Sequence, residues 1–144
     1  MAEKEYLYTE EEVRKMWERD PETQYQIALA KCLEAITRTD GEVAVSFSGG
    51  KDSAVLLYIM ASAWELSRHK ERPLMVFFAD TTNEFVSARK YRKEYIKWIE
   101  EKFEIKIEYH EAKADECYFD VVDTVGLPFV SKKVSRMVRD AKEM

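Results

Sequence analysis

The sequence predicts an α/β domain of three layers, with a mostly parallel sheet and two N-terminal helices packed beside it. Three observations carry this expectation. Residues 43–47 and 74–79 are short runs that are apolar on both faces, as central parallel strands covered by helices are. Each leads into a longer periodic stretch, one continuing from Ala54 to about Leu66 and one from Val86 to Lys102, too long for a strand. A third short run, residues 104–109, alternates Ile105, Ile107 and Tyr109 with Glu104, Lys106 and Glu108, the pattern of a strand with one wet face or at an edge. Strand–helix–strand–helix–strand order implies right-handed crossovers. The strand at 43–47 is therefore expected to be central, with 74–79 beside it and 104–109 outermost.

The elements follow in order. Thr9 is a helix cap with Glu12 three residues on, and Val13, Met16 and Trp17 continue at helical spacing. Asp20 and Pro21 start a second helix, whose apolar face is Tyr25, Ile27, Ala28, Leu29, Cys32, Leu33 and Ile36. Core packing is the expected role of both helices, and partner binding is the alternative for the first. Gly41 opens into the first strand, so residues 1–40 form a helical segment and 41–144 the α/β domain, expected as one compact unit and open to C-terminal truncation. The helix after the second strand should bury Ala88, Tyr91, Tyr95, Trp98, Ile99 and Phe103. Residues 115–124 read as a short amphipathic helix, with Cys117 or Tyr118, Val121 and Val122 facing inward. Residues 125–130 read as a turn leading to a fourth strand on the other flank of the first. Ser131 then caps a basic helix with Lys132, Lys133, Arg136 and Arg139.

Composition bounds the function. The chain has 144 residues and a formal net charge of −5, an acidic balance that argues against a general nucleic-acid binder. Cys32 and Cys117 lie far apart, outside any disulfide framework or local zinc pattern, and suit a reducing cytoplasm. No signal-peptide pattern and no membrane-spanning run is present. His69 and His110 read as surface residues rather than ligands.

The chemistry concentrates between the first strand and its helix, where Ser48, Gly49, Gly50, Lys51, Asp52 and Ser53 form a compact turn. A turn there places backbone N–H groups at a helix N-terminus, where the dipole favours an anion such as phosphate. The glycines admit oxygen atoms close to the backbone and tolerate unusual dihedrals. Ser48 and Ser53 add hydroxyl donors and Lys51 a mobile charge. It is not a Walker A loop: Val45 stands where that motif has its first Gly, and Asp52 where it has Ser or Thr. The alternative is a Gly-rich turn that binds nothing.

The six residues Ser48 to Ser53 resemble the Ser-Gly-Gly-Lys-Asp-Ser signature of the PP-loop superfamily, the adenine-nucleotide α-hydrolase-like proteins. The stretch Val45–Ser53, with Phe78-Ala79-Asp80-Thr81-Thr82-Asn83-Glu84-Phe85 and Gly126-Leu127-Pro128-Phe129-Val130-Ser131-Lys132-Lys133-Val134-Ser135, is similar to the phosphoadenosine phosphosulfate (PAPS) reductase family. Thr82 stands where that family usually has Gly, and Val86 where Pro is common. No segment matches the family's C-terminal catalytic Glu-Cys-Gly.

The resemblance implies a Rossmann-like fold and a cofactor or substrate that is ATP or PAPS, handled at the α-phosphate or at the sulfate. Ser48, Gly49, Gly50, Lys51 and Ser53 would hold phosphates. Asp52 would orient a Mg²⁺ through water or cap the helix. Asp80 and Thr81 would contact ribose, metal or phosphate, or form a helix-entry turn. Lys132, Lys133 and Arg136 would reach a sulfate, a phosphate or a nucleic-acid backbone, or form a solvated face. No catalytic residue is assigned. Two function classes remain: an enzyme that activates an acceptor with ATP or processes a sulfated adenine nucleotide, and a non-catalytic nucleotide-binding module needing a further segment or partner. A homo-oligomer is left open. PAPS reduction by the chain alone is not expected, because Cys32 faces a core and Asp115, Glu116 and Asp120 surround Cys117 with negative charge.

Overall fold

The computed structural model describes residues 8–126. The described residues fall into two compact units: one comprises residues 8–79 together with Phe85–Ala112, the other Asp80–Glu84 together with residues 113–126.

In the first unit, helix α1 (Glu10–Trp17) begins where the sequence places it. The Thr9 N–H donates to Glu12 Oε2 at 2.7 Å and the Glu12 N–H donates to Thr9 Oγ1 at 3.3 Å, so two amides that helix geometry leaves over are satisfied reciprocally. α1 buries none of its residues and Trp17 is exposed, so the core role expected of this helix belongs to the next one alone. Helix α2 (Pro21–Arg38) starts on Asp20, whose Oδ1 accepts the Thr23 N–H at 2.9 Å. That bond and one from the Thr23 hydroxyl hold the Asp20 carboxyl below the usual carboxylate range. α2 buries Cys32 and Ile36. Its Tyr25 hydroxyl lies 2.9 Å from Ser62 Oγ on helix α3 (Lys51–Leu66).

Gly41 turns the chain from α2 into the sheet. Its φ is +81°, and a Cβ there would come within 2.9 Å of the His69 ring. His69 is thus a packing residue beside Gly41 and Trp64 rather than a surface one, because the connection after α3 folds back onto that turn.

Strands β1 (Ala44–Ser46), β2 (Leu74–Asp80) and β3 (Ile107–Lys113) form a parallel sheet in the order β1-β2-β3. Ala44 pairs with Met75, Val45 with Val76 and Ser46 with Phe77. The neighbour relations expected from the crossovers are present, and the strand expected on the far side of β1 lies outside the described residues. β3 starts three residues later than its alternation suggests. Glu104 takes a left-handed conformation, φ +49°, that ends the preceding helix, and the chain needs Ile105 and Lys106 to re-enter the sheet.

The core joins Val45, Phe47, Leu74, Val76 and Ile105 to Leu57, Ala61 and Trp64 of α3 and Ile96, Ile99 and Phe103 of helix α4 (Val86–Phe103). β2 does not bury both faces as expected. Leu74, Val76 and Phe78 are covered, while Met75 and Phe77 are 43% and 40% exposed. An apolar side chain reports that it can be buried, not that a neighbouring element reaches it. Leu57 is wholly buried at the centre of the cluster. Leu57→Ala is expected to destabilise the fold by about 2–5 kcal/mol, measured by urea unfolding; a loss well under about 1 kcal/mol would contradict this core assignment.

α4 differs from expectation in its buried face. It buries Arg92, Ile96, Ile99 and Phe103, while Tyr91 and Trp98 are 42% and 45% exposed. Tyr95 is half-buried and its hydroxyl donates to the Ala54 carbonyl at 2.9 Å. The helix is rotated so that an arginine, not a tyrosine, points inward.

In the second unit, helix α5 (Tyr118–Val125) starts on Cys117 rather than at Asp115, and none of its residues is fully buried. Cys117 is the cap: its N–H donates to Asp120 Oδ2 at 3.2 Å. This bond and one from the thiol hold the Asp120 carboxyl below its ordinary range. A cysteine is an unusual cap, so the start of α5 is not legible from residue preference.

Candidate functional site

β1 delivers the chain to the loop. Phe47 is fully buried and its N–H donates to the Phe77 carbonyl at 2.8 Å, extending the parallel pairing one residue past the strand. Beyond this anchor the chain turns at Ser48, Gly49 and Gly50, and α3 begins at Lys51. Side chains close the turn. Ser48 Oγ and Ser53 Oγ lie 3.0 Å apart, Ser53 Oγ donates to the Gly50 carbonyl at 3.0 Å, and the Gly50 N–H donates to Ser48 Oγ at 3.3 Å. The two serines thus clasp the loop across its base, a structural role beside the phosphate contact expected of them.

The two glycines do different jobs. Gly50 has φ −79° and ψ 163°, a conformation open to any residue, and a Cβ there would meet only Ser48 Oγ at 3.5 Å. Gly49 has φ +82°, and a Cβ there would lie 2.9 Å from Cγ of Arg92. Only Gly49 therefore requires glycine for the fold itself.

The loop can receive an anion. The first intrahelical bond of α3 runs from the Ala54 N–H to the Gly50 carbonyl at 2.9 Å, so the amides of Lys51, Asp52 and Ser53 precede the helix ladder. They lie at the positive end of a 16-residue helix. Ser48, Gly50, Lys51 and Asp52 are exposed, so the site is accessible. Asp52 is the loop's one carboxylate. Among the described residues no cluster of three or more His, Cys, Asp and Glu could hold a metal ion.

The second predicted stretch follows β2. Asp80 is buried, its Oδ1 accepting the Thr82 N–H at 2.8 Å, while Thr81 is exposed. Thr82 has φ +65°, a left-handed conformation that a β-branched residue rarely adopts. Its hydroxyl helps hold it there, donating to the Thr81 carbonyl and accepting the Tyr118 N–H, each at 2.6 Å. The backbone at this position thus has the geometry that a glycine adopts freely, reached here by hydrogen bonding. Lys132 and Lys133 lie outside the described residues. Sequence reasoning missed Arg92: the signal available was one charged residue at a core position of the α4 period.

A parallel α/β sheet with a glycine-containing loop between a strand and the helix that follows it is a setting in which phosphate-binding loops occur. The family model of the phosphoadenosine phosphosulfate reductase domain matches residues 42–136, about two thirds of the chain, and the chain belongs to that family, a part of the PP-loop superfamily. No curated protein and no solved structure matches the chain. Among the described residues no helix is long and apolar enough to cross a membrane.

Proposed function

We propose that this chain binds an adenine nucleotide, ATP or PAPS, with the 48–53 loop holding its phosphates and the chemistry falling at the α-phosphate or at a sulfate. The observation that carries this reading is the loop itself, a serine-clasped turn at the start of α3 whose first-turn amides precede the helix ladder. Lys51 adds a mobile cation, and Lys132 and Lys133 are candidates for a second anionic group. A Mg²⁺ would fit as a companion of the nucleotide: one carboxylate, Asp52, suits an ion that keeps water and phosphate oxygens as its other ligands. Asp80 and Thr81 are proposed as ribose or phosphate contacts. A reducing, cytoplasmic setting is proposed from the two free thiols.

The second reading is a nucleotide-binding module without redox chemistry of its own. It is favoured by the state of the cysteines, since Cys32 is buried and Cys117 is engaged with Asp120. Burial pushes the Cys32 thiol up, away from the reactive form. The nucleotide reading is tested by calorimetric titration with ATP and with PAPS, each repeated in the presence of inorganic phosphate. Saturable binding that phosphate weakens is expected. Absence of binding for both nucleotides would remove the proposal.

A further inference from the structure

We propose that Arg92 is a positioning residue for the phosphate loop, bracing Gly49 through its side-chain stem while Phe78 anchors its guanidinium. The inference rests on the reading of residues 48–53 as a phosphate site and extends that site to α4 and β2.

Arg92 is 1% exposed, among the largest fully buried side chains of the fold. Burying a guanidinium is costly, so its position calls for interactions that hold it there. One of them is visible in β2: the guanidinium carbon lies 3.6 Å from the centre of the Phe78 ring, a close cation–π contact. The side chain runs from this anchor past the loop. A Cβ built on Gly49 would lie 2.9 Å from Arg92 Cγ, 3.4 Å from Cδ and 3.8 Å from Nη1. The stem therefore occupies the space beside the Gly49 α-carbon that any other residue would need.

Gly49 is also the loop residue with positive φ, +82°. Glycine reaches that conformation freely but also leaves it freely, so a turn pivoting on glycine is not held by its own dihedral preference. The clasp of Ser48 and Ser53 restrains the loop ends, and Arg92 fills the space beside its pivot. A loop held in its binding conformation loses less entropy when phosphate arrives. Arginine suits the task better than lysine because a planar guanidinium stacks on a ring face while its stem packs.

Two readouts test this, and only one needs a ligand. The first is amide hydrogen exchange at Gly49, Gly50 and Lys51 in the free protein, for Arg92→Ala, Arg92→Met and Arg92→Lys. Exchange at the loop is expected to rise about tenfold in Arg92→Ala, less in Arg92→Met, and least in Arg92→Lys, with Leu57 and Ala61 inside α3 unchanged. The second is ATP affinity, expected about five- to tenfold weaker in Arg92→Ala. The loss caused by Gly49→Ala should be smaller in the Arg92→Ala background than in the wild type, because the atom the new Cβ would strike is gone. Unchanged loop exchange in both Arg92→Ala and Arg92→Met overturns the proposal, as does strict additivity with Gly49→Ala. Should Arg92→Ala not fold, Arg92→Met, an apolar residue of similar length, decides by the same exchange measurement. Faster loop exchange in a protein that binds neither ATP nor PAPS would keep the brace and remove the nucleotide reading instead.

Discussion

Gly50→Asp is expected to weaken ATP binding about 100-fold or more without weakening the fold, on the scale of a like charge a few ångströms from a phosphate. The two effects separate because of where Gly50 sits. Its φ of −79° and ψ of 163° suit an ordinary residue, and a Cβ would meet only Ser48 Oγ, at an ordinary 3.5 Å. It is the N-cap of α3 and carries no capping side chain, so an aspartate there can bond the first-turn amides and support the helix. Those amides are the ones proposed for phosphate. The variant thus supplies an internal carboxylate in place of the ligand and repels what remains. Calorimetry on the wild type, Gly50→Ala and Gly50→Asp, beside thermal unfolding of each, checks this. Gly50→Ala should keep most of the affinity, which separates the charge from the side-chain volume. Equal ATP affinity in Gly50→Asp and the wild type would exclude this loop as the site.

Sulfite release from PAPS with a thioredoxin donor is expected to stay at the blank level for this chain. Reductive cleavage needs a thiolate that reaches the sulfur. The chain has two cysteines. Cys32 is 8% exposed on α2 and packed in the core, where burial favours the neutral thiol. Cys117 is half-buried at the start of α5, not within a longer helix as its sequence suggests. Its N–H donates to Asp120 Oδ2 at 3.2 Å, so this residue is tied into the α5 cap beside a carboxylate that repels an incoming anionic sulfate. The assay compares the wild type with Cys117→Ser. Robust wild-type turnover would refute the expectation, and its loss in Cys117→Ser would identify the nucleophile. Pyrophosphate release from ATP is independent of this outcome, because phosphate binding at the loop requires no cysteine.

The local chemistry of the chain was legible in its residues. Thr9 and Asp20, the latter followed by Pro21, mark helix starts because a cap is a short-range bond to a residue three positions on, Glu12 and Thr23 here, and both bonds are present. The parallel order β1-β2-β3 follows from alternating short and long apolar runs, since crossover handedness leaves little choice. The loop that carries the family resemblance was visible because its signature is consecutive: two glycines, two serines and a lysine within six positions.

What tertiary structure decided concerns contacts between distant residues. Hydropathy places Tyr91 and Trp98 of α4 inward, yet Arg92 is buried, because the ring of Phe78 and the bare α-carbon of Gly49 make room for it. The doubly apolar β2 covers one face among the described residues, since coverage depends on which elements arrive, not on the strand. Thr82 adopts a left-handed turn that its own preference opposes, held by bonds to the Thr81 carbonyl, the Asp80 carboxylate and the Tyr118 amide. Gly49 and Gly50 are indistinguishable as letters. The approach of an arginine 43 positions away in the chain, together with the positive φ, makes the first indispensable to the fold and leaves the second without a structural need for glycine.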